Sequence, residues 1–244
     1  MLKQLAFFVI MGVGALSLNA HWFEPQEKET IFLIMRHGEV FGNQALDPET
    51  YTYTGCRTNF PLNEKGRVQV EEAANALFCL AKQKGFTVSA LYSSPMIRAM
   101  ETAIPMGKLF NLPIEKRGDL REIDWGIADG ELVKDCKIWS ERKKEIKNQF
   151  PNRQEQWDHL PVFPEAEKFN HVLARVVREL KQIGEKHPGE IVLLVTHGRV
   201  LKCLTSYVLN VPDKQIPYPQ NAGIAIFRSK PDHSLEFVKI LAKE

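Results

Sequence analysis

Two stretches of this chain, far apart in sequence, share one pattern: five apolar residues in a row, one polar residue, a histidine and a glycine. Residues 31–35 (IFLIM) lead into Arg36-His37-Gly38, and residues 191–195 (IVLLV) lead through Thr196 into His197-Gly198. An apolar run without alternation suits a strand buried on both faces, as in a parallel sheet covered by helices on each side. Open α/β sheets bind ligands beyond the carboxyl ends of their strands, where both histidines fall. Glycine there lets the backbone turn tightly and a ligand come close. The pattern predicts an α/β fold whose opening and closing parallel strands bring His37 and His197 to one crevice.

The intervening chain supplies strands and helices for such a sheet. A long loop rich in Tyr, Thr, Pro and Gly follows Asn43 and runs to Asn63, which can cap a helix over 65–84. In that helix Val70, Ala73, Ala74, Leu77, Leu80 and Ala81 share one face, and Gly85 ends it. A second strand is predicted over 88–92. Ser94 as N-cap and Pro95 at the first helical position then start a helix that carries Arg98 in its first turn. A third strand is predicted over 111–115, with Leu120-Arg121-Glu122 just beyond it. Residues 126–165 lack any strand signal and contain a polar helix over 137–149, three prolines, Trp139, Trp157 and Phe163. They read as an insertion over the sheet edge, placed to cover substrate. Trp125 and these aromatic residues are expected to pack the insertion rather than touch a ligand. An amphipathic helix over 165–186 turns Phe169, Val172, Leu173, Val176, Val177, Leu180 and Ile183 inward. After His197 a helix over 199–209 and strands over 222–227 and 235–240 complete the set. Strands alternating with helices mean one α/β domain, 30–244, with a mixed, mostly parallel sheet and helices on both faces.

The length of 244 residues allows one full core, and a net charge of +2 with dispersed Lys and Arg gives no reason to expect nucleic acid. The amino terminus is different in kind. Lys3, an apolar run over 5–18 and the small residue Ala20 have the three-part form of a secretory signal peptide over 1–20. The run is short for a membrane span of about 20 residues, yet left uncleaved it would tether the domain to a membrane through residues 5–18. Either reading makes the domain, joined by a linker over 21–29, an exported one, periplasmic or secreted. The absence of any Asn-x-Ser/Thr site fits a bacterial source. Cys56, Cys79, Cys136 and Cys203 have neither C-x-x-C nor zinc spacing. Cys203, at core spacing with Val200, Leu204 and Tyr207, reads as a buried free thiol. No motif speaks to oligomeric state.

Arg36, His37, Arg98, Glu122 and His197 all fall just beyond strand ends. Guanidiniums make charge-assisted, often bidentate contacts with phosphate oxygens. A neutral imidazole is a nucleophile whose phosphoryl adduct divides one hard displacement into two easier ones. A carboxylic acid can protonate a departing alkoxide and then take a proton from the attacking water. A second histidine, if protonated, adds a donor to the phosphoryl oxygens. Positioning and electrostatics carry most of phosphoryl transfer, so no metal or other cofactor is called for.

At these residues the chain resembles the histidine phosphatase superfamily, also called phosphoglycerate-mutase-like. Arg36-His37-Gly38 with Asn43 matches R-H-G-x-x-x-x-N, and Pro61-Leu62-Asn63-Glu64-Lys65-Gly66 looks like P-L-T-x-x-G. Ser94 to Ala99 with Thr102-Ala103 resembles S-x-x-x-R-A-x-x-T-A, Leu120-Arg121-Glu122 with Gly126 resembles L-x-E-x-x-x-G, and Thr196-His197-Gly198 resembles the closing S/T-H-G. The resemblance implies that His37 is the phosphorylated nucleophile and Glu122 the proton donor. It places Arg36, Arg98 and His197 in the phosphate pocket, with Asn43 touching the transferred group. The substrate would be a small-molecule or protein phosphomonoester. Two motifs depart: Asn59 stands where the family has Asp, and Ala166-Glu167-Lys168 stands for G-E-S. Two further readings stay open. A phosphoglycerate mutase uses the same pocket, although Ile123-Asp124-Trp125-Gly126 stands in place of that branch's R-H-Y-G. An anion-binding or scaffold protein would keep the fold without turnover.

Overall fold

The computed structural model describes residues 20–43, 49–136, 138–150, 152–212 and 215–241. The export segment expected over 1–20 lies outside them but for its last residue. No helix among the described residues is long and apolar enough to cross a membrane.

The two unbroken apolar runs become the centre of the sheet. Strands β1 (Thr30–Arg36), β2 (Ala90–Ser93), β3 (Ile114–Lys116), β4 (Glu190–Thr196), β5 (Ile224–Ser229) and β6 (Leu235–Leu241) lie in the order β3-β2-β4-β1-β5-β6. The first four run parallel, β5 is antiparallel to them, and β6, antiparallel to β5, points the same way as the first four. Every residue of β1 is buried. Successive side chains of a strand face opposite layers, and the core divides accordingly. Ile31, Leu33 and Met35, with Leu193 and Val195, meet helices α1 (Glu64–Lys84) and α2 (Ile97–Phe110) through Val70, Ala74, Leu77, Ala99, Ala103 and Met106. Phe32 and Ile34, with Val192 and Leu194, meet α5 (Phe169–Lys186) and α6 (Gly198–Val208) through Val172, Val176, Leu180, Val200 and Leu204. Burial on both faces explains why neither run alternates.

Helix starts differ from the sequence expectation where a distant group takes the capping side chain. Asn63 caps α1 as expected, its Oδ1 accepting the Gly66 N–H at 2.7 Å, and Gly85 closes the helix with φ 71°. Ser94 lies ahead of α2, whose N-cap is Met96, and its hydroxyl keeps only a 3.4 Å contact there, from the Met96 N–H. Its hydroxyl lies 2.7 Å from His197 Nε2, and the Ile97 N–H is instead taken by Asn59 Oδ1 at 2.9 Å. Asparagine caps as well as aspartate does, so the Asn59 departure keeps this contact. Helix α5 begins at Phe169 rather than 165 because Glu165 has φ 59° and Glu167 turns to Arg175. Tyr207, expected inside with Cys203, is exposed, while Cys203 is buried and no disulfide joins any of the four cysteines.

The insertion forms α3 (Ile138–Gln149) and α4 (Arg153–His159) between short turns. It is anchored in the α5 layer, where Trp157, Leu160 and Phe163 join Phe169 in the core. Its leading edge pairs with the long loop: Tyr53 N–H donates to Glu131 O, and Gly130 N–H returns to Tyr53 O. Val133 and Lys143 reach the cleft at the strand ends.

Candidate active site

The register of β1 on β4 pairs Arg36 with Thr196, so the next residue on each strand, His37 and His197, leaves the sheet side by side. The His37 N–H donates to Thr196 O at 3.0 Å, and the imidazole centroids lie 5.1 Å apart. Gly38 then passes against the first turn of α1. A Cβ at Gly38 would lie 2.6 Å from Gly66 O, and one at Gly66 would lie 2.1 Å from Glu39 O. Only glycine at both positions permits this approach, which accounts for the glycine in each motif.

His37 Nδ1 lies 2.7 Å from Gly38 O. A carbonyl only accepts, so Nδ1 carries the proton and Nε2 keeps its lone pair. Arg98 Nε–H points at that lone pair from 3.2 Å and at His197 Nδ1 from 3.2 Å. An accepting Nδ1 on a neutral His197 places its proton on Nε2, which donates to Ser94 Oγ. Both imidazoles are pushed well below their usual 6.5, first by burial and then by the Arg98 cation, so both are neutral near pH 7. Burial also lowers the Arg98 guanidinium, to about 10, which leaves it charged. The sequence analysis made His197 a donor to phosphoryl oxygens only if protonated, and in this arrangement it is held neutral.

Arg98 itself is fully buried, with Nη1 donating to Thr58 O at 2.9 Å and Nη2 to Gly55 O at 3.0 Å. It lies beneath the histidines and holds the 55–58 loop, rather than opening into the cleft as expected of a phosphate ligand. Arg36, His37, Asn43 and Glu122 do line the cleft, a space of about 200 Å³. Arg36 stacks 4.9 Å from the Tyr218 ring centroid and donates from Nη1 to Pro219 O at 2.6 Å. Its Nε–H is buried with no acceptor among the described residues. Asn43 Oδ1 accepts the Val40 N–H at 2.9 Å, which leaves its NH2 group for the cleft. Glu122 accepts the Ile123 N–H at 2.9 Å and the Arg199 N–H at 3.1 Å.

Glu122 is held from behind by a buried pair absent from the sequence reading. Arg175, 5% exposed, forms a fork with Glu167 at 2.7 and 3.0 Å and donates to the carbonyls of Asp119, Arg121 and Glu122. Arg175 sits among the inward positions of α5, and an arginine there is the one signal that would have found it. Tyr51, Trp125, Arg199 and Tyr218 also line the cleft without having been singled out as ligands. Trp125 does both jobs: it packs against Tyr53 at 5.0 Å and forms cleft wall. Arg199 immediately follows the second His-Gly, a usable signal, whereas Tyr218 comes from a loop with no pattern. Cys56, Asp124 and Asp129 offer ligand atoms close enough for a metal. Asp129 is occupied by the N–H groups of Gly55, Arg57 and Thr58, and Asp124 by Arg57 and Gly126, so both act as loop braces.

The chain is 30% identical over 187 residues to a metal-independent phosphoserine phosphatase of Arabidopsis thaliana, covering 75% of this chain and 71% of that protein. It is 25% identical over 179 residues to an uncharacterized phosphatase, PhoE, of Bacillus subtilis, covering 73% and 77%. Mycobacterial relatives match at 32% identity over 78% of this chain, which spans about half (47%) of their length. Among solved structures, YhfR of Bacillus stearothermophilus superposes with a TM-score of 0.69 at 27% identity, covering 86% of this chain and 96% of that one. The family model for histidine phosphatase superfamily (branch 1) matches residues 32–239, which includes both His-Gly strand ends, so the chain belongs to the histidine phosphatase superfamily.

Proposed function

We propose that the protein hydrolyses phosphomonoesters through a phosphohistidine at His37, without a metal. One observation carries the reading: Gly38 O fixes the His37 tautomer, so the Nε2 lone pair sits beside the Arg98 Nε–H and next to the cationic cleft. The buried, unsatisfied Arg36 Nε–H supports it, since a donor left unpaired costs about 1–3 kcal/mol. A phosphoryl oxygen would satisfy it.

In the first step His37 Nε2 attacks phosphorus and the ester P–O bond breaks. The departing oxygen takes a proton from the Glu122 carboxyl. Positive charge on the adduct is relieved through the Nδ1–H to Gly38 O. In the second step Glu122 takes a proton from water, the water oxygen attacks phosphorus, and the P–N bond breaks to return neutral His37. Arg36 stabilises the equatorial oxygens in both steps, while Arg98, buried beneath the histidines, contributes its charge from below. His197 stays neutral and steadies the Arg98 guanidinium by accepting its Nε–H at Nδ1.

Purified protein should release phosphate from 4-nitrophenyl phosphate in the presence of EDTA. An acid-labile phosphoenzyme should form. His37→Ala should remove the phosphoenzyme and lower turnover roughly 10³-fold or more. Turnover that survives the change would assign the nucleophile elsewhere. Conversion of 3-phosphoglycerate to its isomer without net phosphate release would make the protein a mutase. Inactivity of a folded protein on every ester would leave a binding protein.

A further inference from the structure

Three strand ends, not two, meet at the histidines. Strand β2 pairs with β4 so that Ser93 lies against Val195, and the Ser94 N–H donates to Val195 O at 3.0 Å. Since β4 lies between β2 and β1, Ser94 leaves the sheet beside His197, on the side away from His37. Its Oγ lies 2.7 Å from His197 Nε2. Ser94, Arg98 and His197 are each 0% exposed, so bulk water does not stand in for a missing partner. Neither Ser94 nor His197 lines the cleft.

Donor accounting gives this row a direction. A guanidinium only donates, so the Arg98 Nε–H at 3.2 Å makes His197 Nδ1 an acceptor. The ring proton then sits on Nε2, where Ser94 Oγ accepts it. The opposite tautomer would set an Nδ1–H against the Arg98 Nε–H. That same Nε–H is shared with His37 Nε2, also at 3.2 Å. Sharing has a chemical consequence. Once the His37 lone pair bonds to phosphorus it no longer accepts, and the Arg98 Nε–H passes wholly to His197 Nδ1. No proton changes owner in this exchange. It works only while Nδ1 keeps its lone pair.

We infer that Ser94 is a positioning residue for phosphoryl transfer: by holding the His197 proton on Nε2 it keeps Nδ1 open to Arg98, which frees the His37 lone pair for attack. The inference rests on the phosphatase reading above. It gives the second histidine a receiving role behind the nucleophile instead of a contact with substrate.

Spectroscopy and anion binding test this without turnover. In protein labelled with 15N at histidine, the two-bond 1H–15N spectrum near pH 7.5 should show His197 protonated on Nε2 alone, its signals identified by their loss in His197→Asn. A proton on Nδ1, or on both nitrogens, overturns the inference. Ser94→Ala should remove the Nε2–H pattern, and Ser94→Thr, which keeps a hydroxyl, should restore it. If Ser94→Ala does not fold, Ser94→Cys, a weak acceptor of similar size, takes its place. Orthovanadate needs the His37 lone pair as its fifth ligand, whereas sulfate needs only the cations. Ser94→Ala should therefore weaken orthovanadate roughly 10-fold or more, the span of a hydrogen bond to a charged group, and leave the Kd for sulfate unchanged. Single-turnover formation of the phosphoenzyme should slow by the same factor and recover in Ser94→Thr. Equal losses for both anions would make Ser94 merely structural and overturn the inference, as would an unchanged orthovanadate Kd. Wild-type protein that hydrolyses no ester, yet shows the Nε2–H pattern and the orthovanadate effect, would sink the phosphatase reading and leave the role of Ser94 standing.

Discussion

Replacing Arg175 by methionine removes the device that aims Glu122, and the cost can be worked from the contacts. Five N–H donations are lost, two to the Glu167 carboxylate and three to the carbonyls of Asp119, Arg121 and Glu122. The Arg175 side chain is 5% exposed and that of Glu167 11%, so water does not replace them freely. Breaking one side of a buried pair costs about 3–5 kcal/mol, and the longer 3.4 Å contact from Arg121 Nη2 to Glu167 Oε1 compensates the remaining carboxylate only in part. For a chain of this size each kcal/mol moves the Tm by about 2–4 °C, which gives a fall of roughly 6–20 °C by calorimetry. Function should fail in a specific direction. Slack in residues 119–124 moves Glu122 away from the leaving oxygen, and alkyl esters need that proton more than aryl esters do. The kcat for an alkyl phosphate should therefore drop several-fold more than that for 4-nitrophenyl phosphate. Arg175→Lys keeps the charge but not the fork, and should show the same bias with a smaller loss of stability. A stability change under about 1 kcal/mol in Arg175→Met, or equal losses on both ester types, would refute the clamp.

Three shorter tests follow. Glu122→Gln should impair alkyl phosphates more than aryl ones in steady-state assays, and equal impairment would take the acid role from it. Gly198→Ala would put a Cβ 2.5 Å from Tyr218 Cε1. The ring must then shift off Arg36, and a rise in KM with a loss of about 1–3 kcal/mol in urea titration is expected; an unchanged KM would show that Tyr218 does not support the cleft. Because His37 and His197 are held neutral well below 6.5, the unfolded chain binds protons that the folded one refuses. Their contribution is complete above about pH 6.5 and is lost as pH falls below it. The fall in urea midpoint from pH 7.5 to 5.5 should be smaller in His37→Asn/His197→Asn than in wild type, and an equal fall would contradict the neutral pair.

The strands, their burial and the meeting of His37 with His197 were legible in the residues themselves. Burial is a property of one position at a time, and it leaves a periodic trace: unbroken apolar runs for β1 and β4, a stripe for α1 and α5. A tight backbone approach also leaves a trace, as the glycines at 38 and 66 do. Pairing leaves none. By local rules Ser94 should cap α2, yet its hydroxyl serves His197, 103 residues away. The helix start passed to Asn59 as a result.

Tertiary structure alone turned Arg98 toward backbone carbonyls beneath the histidines, set both tautomers, and placed Arg199 and Tyr218 along the cleft. Each of these depends on the direction and distance between groups from different elements, which the packed layers determine and no single stretch of sequence records. The chain thus wrote down which side chains reach the crevice at the sheet's centre. Only folding decided which proton each imidazole keeps.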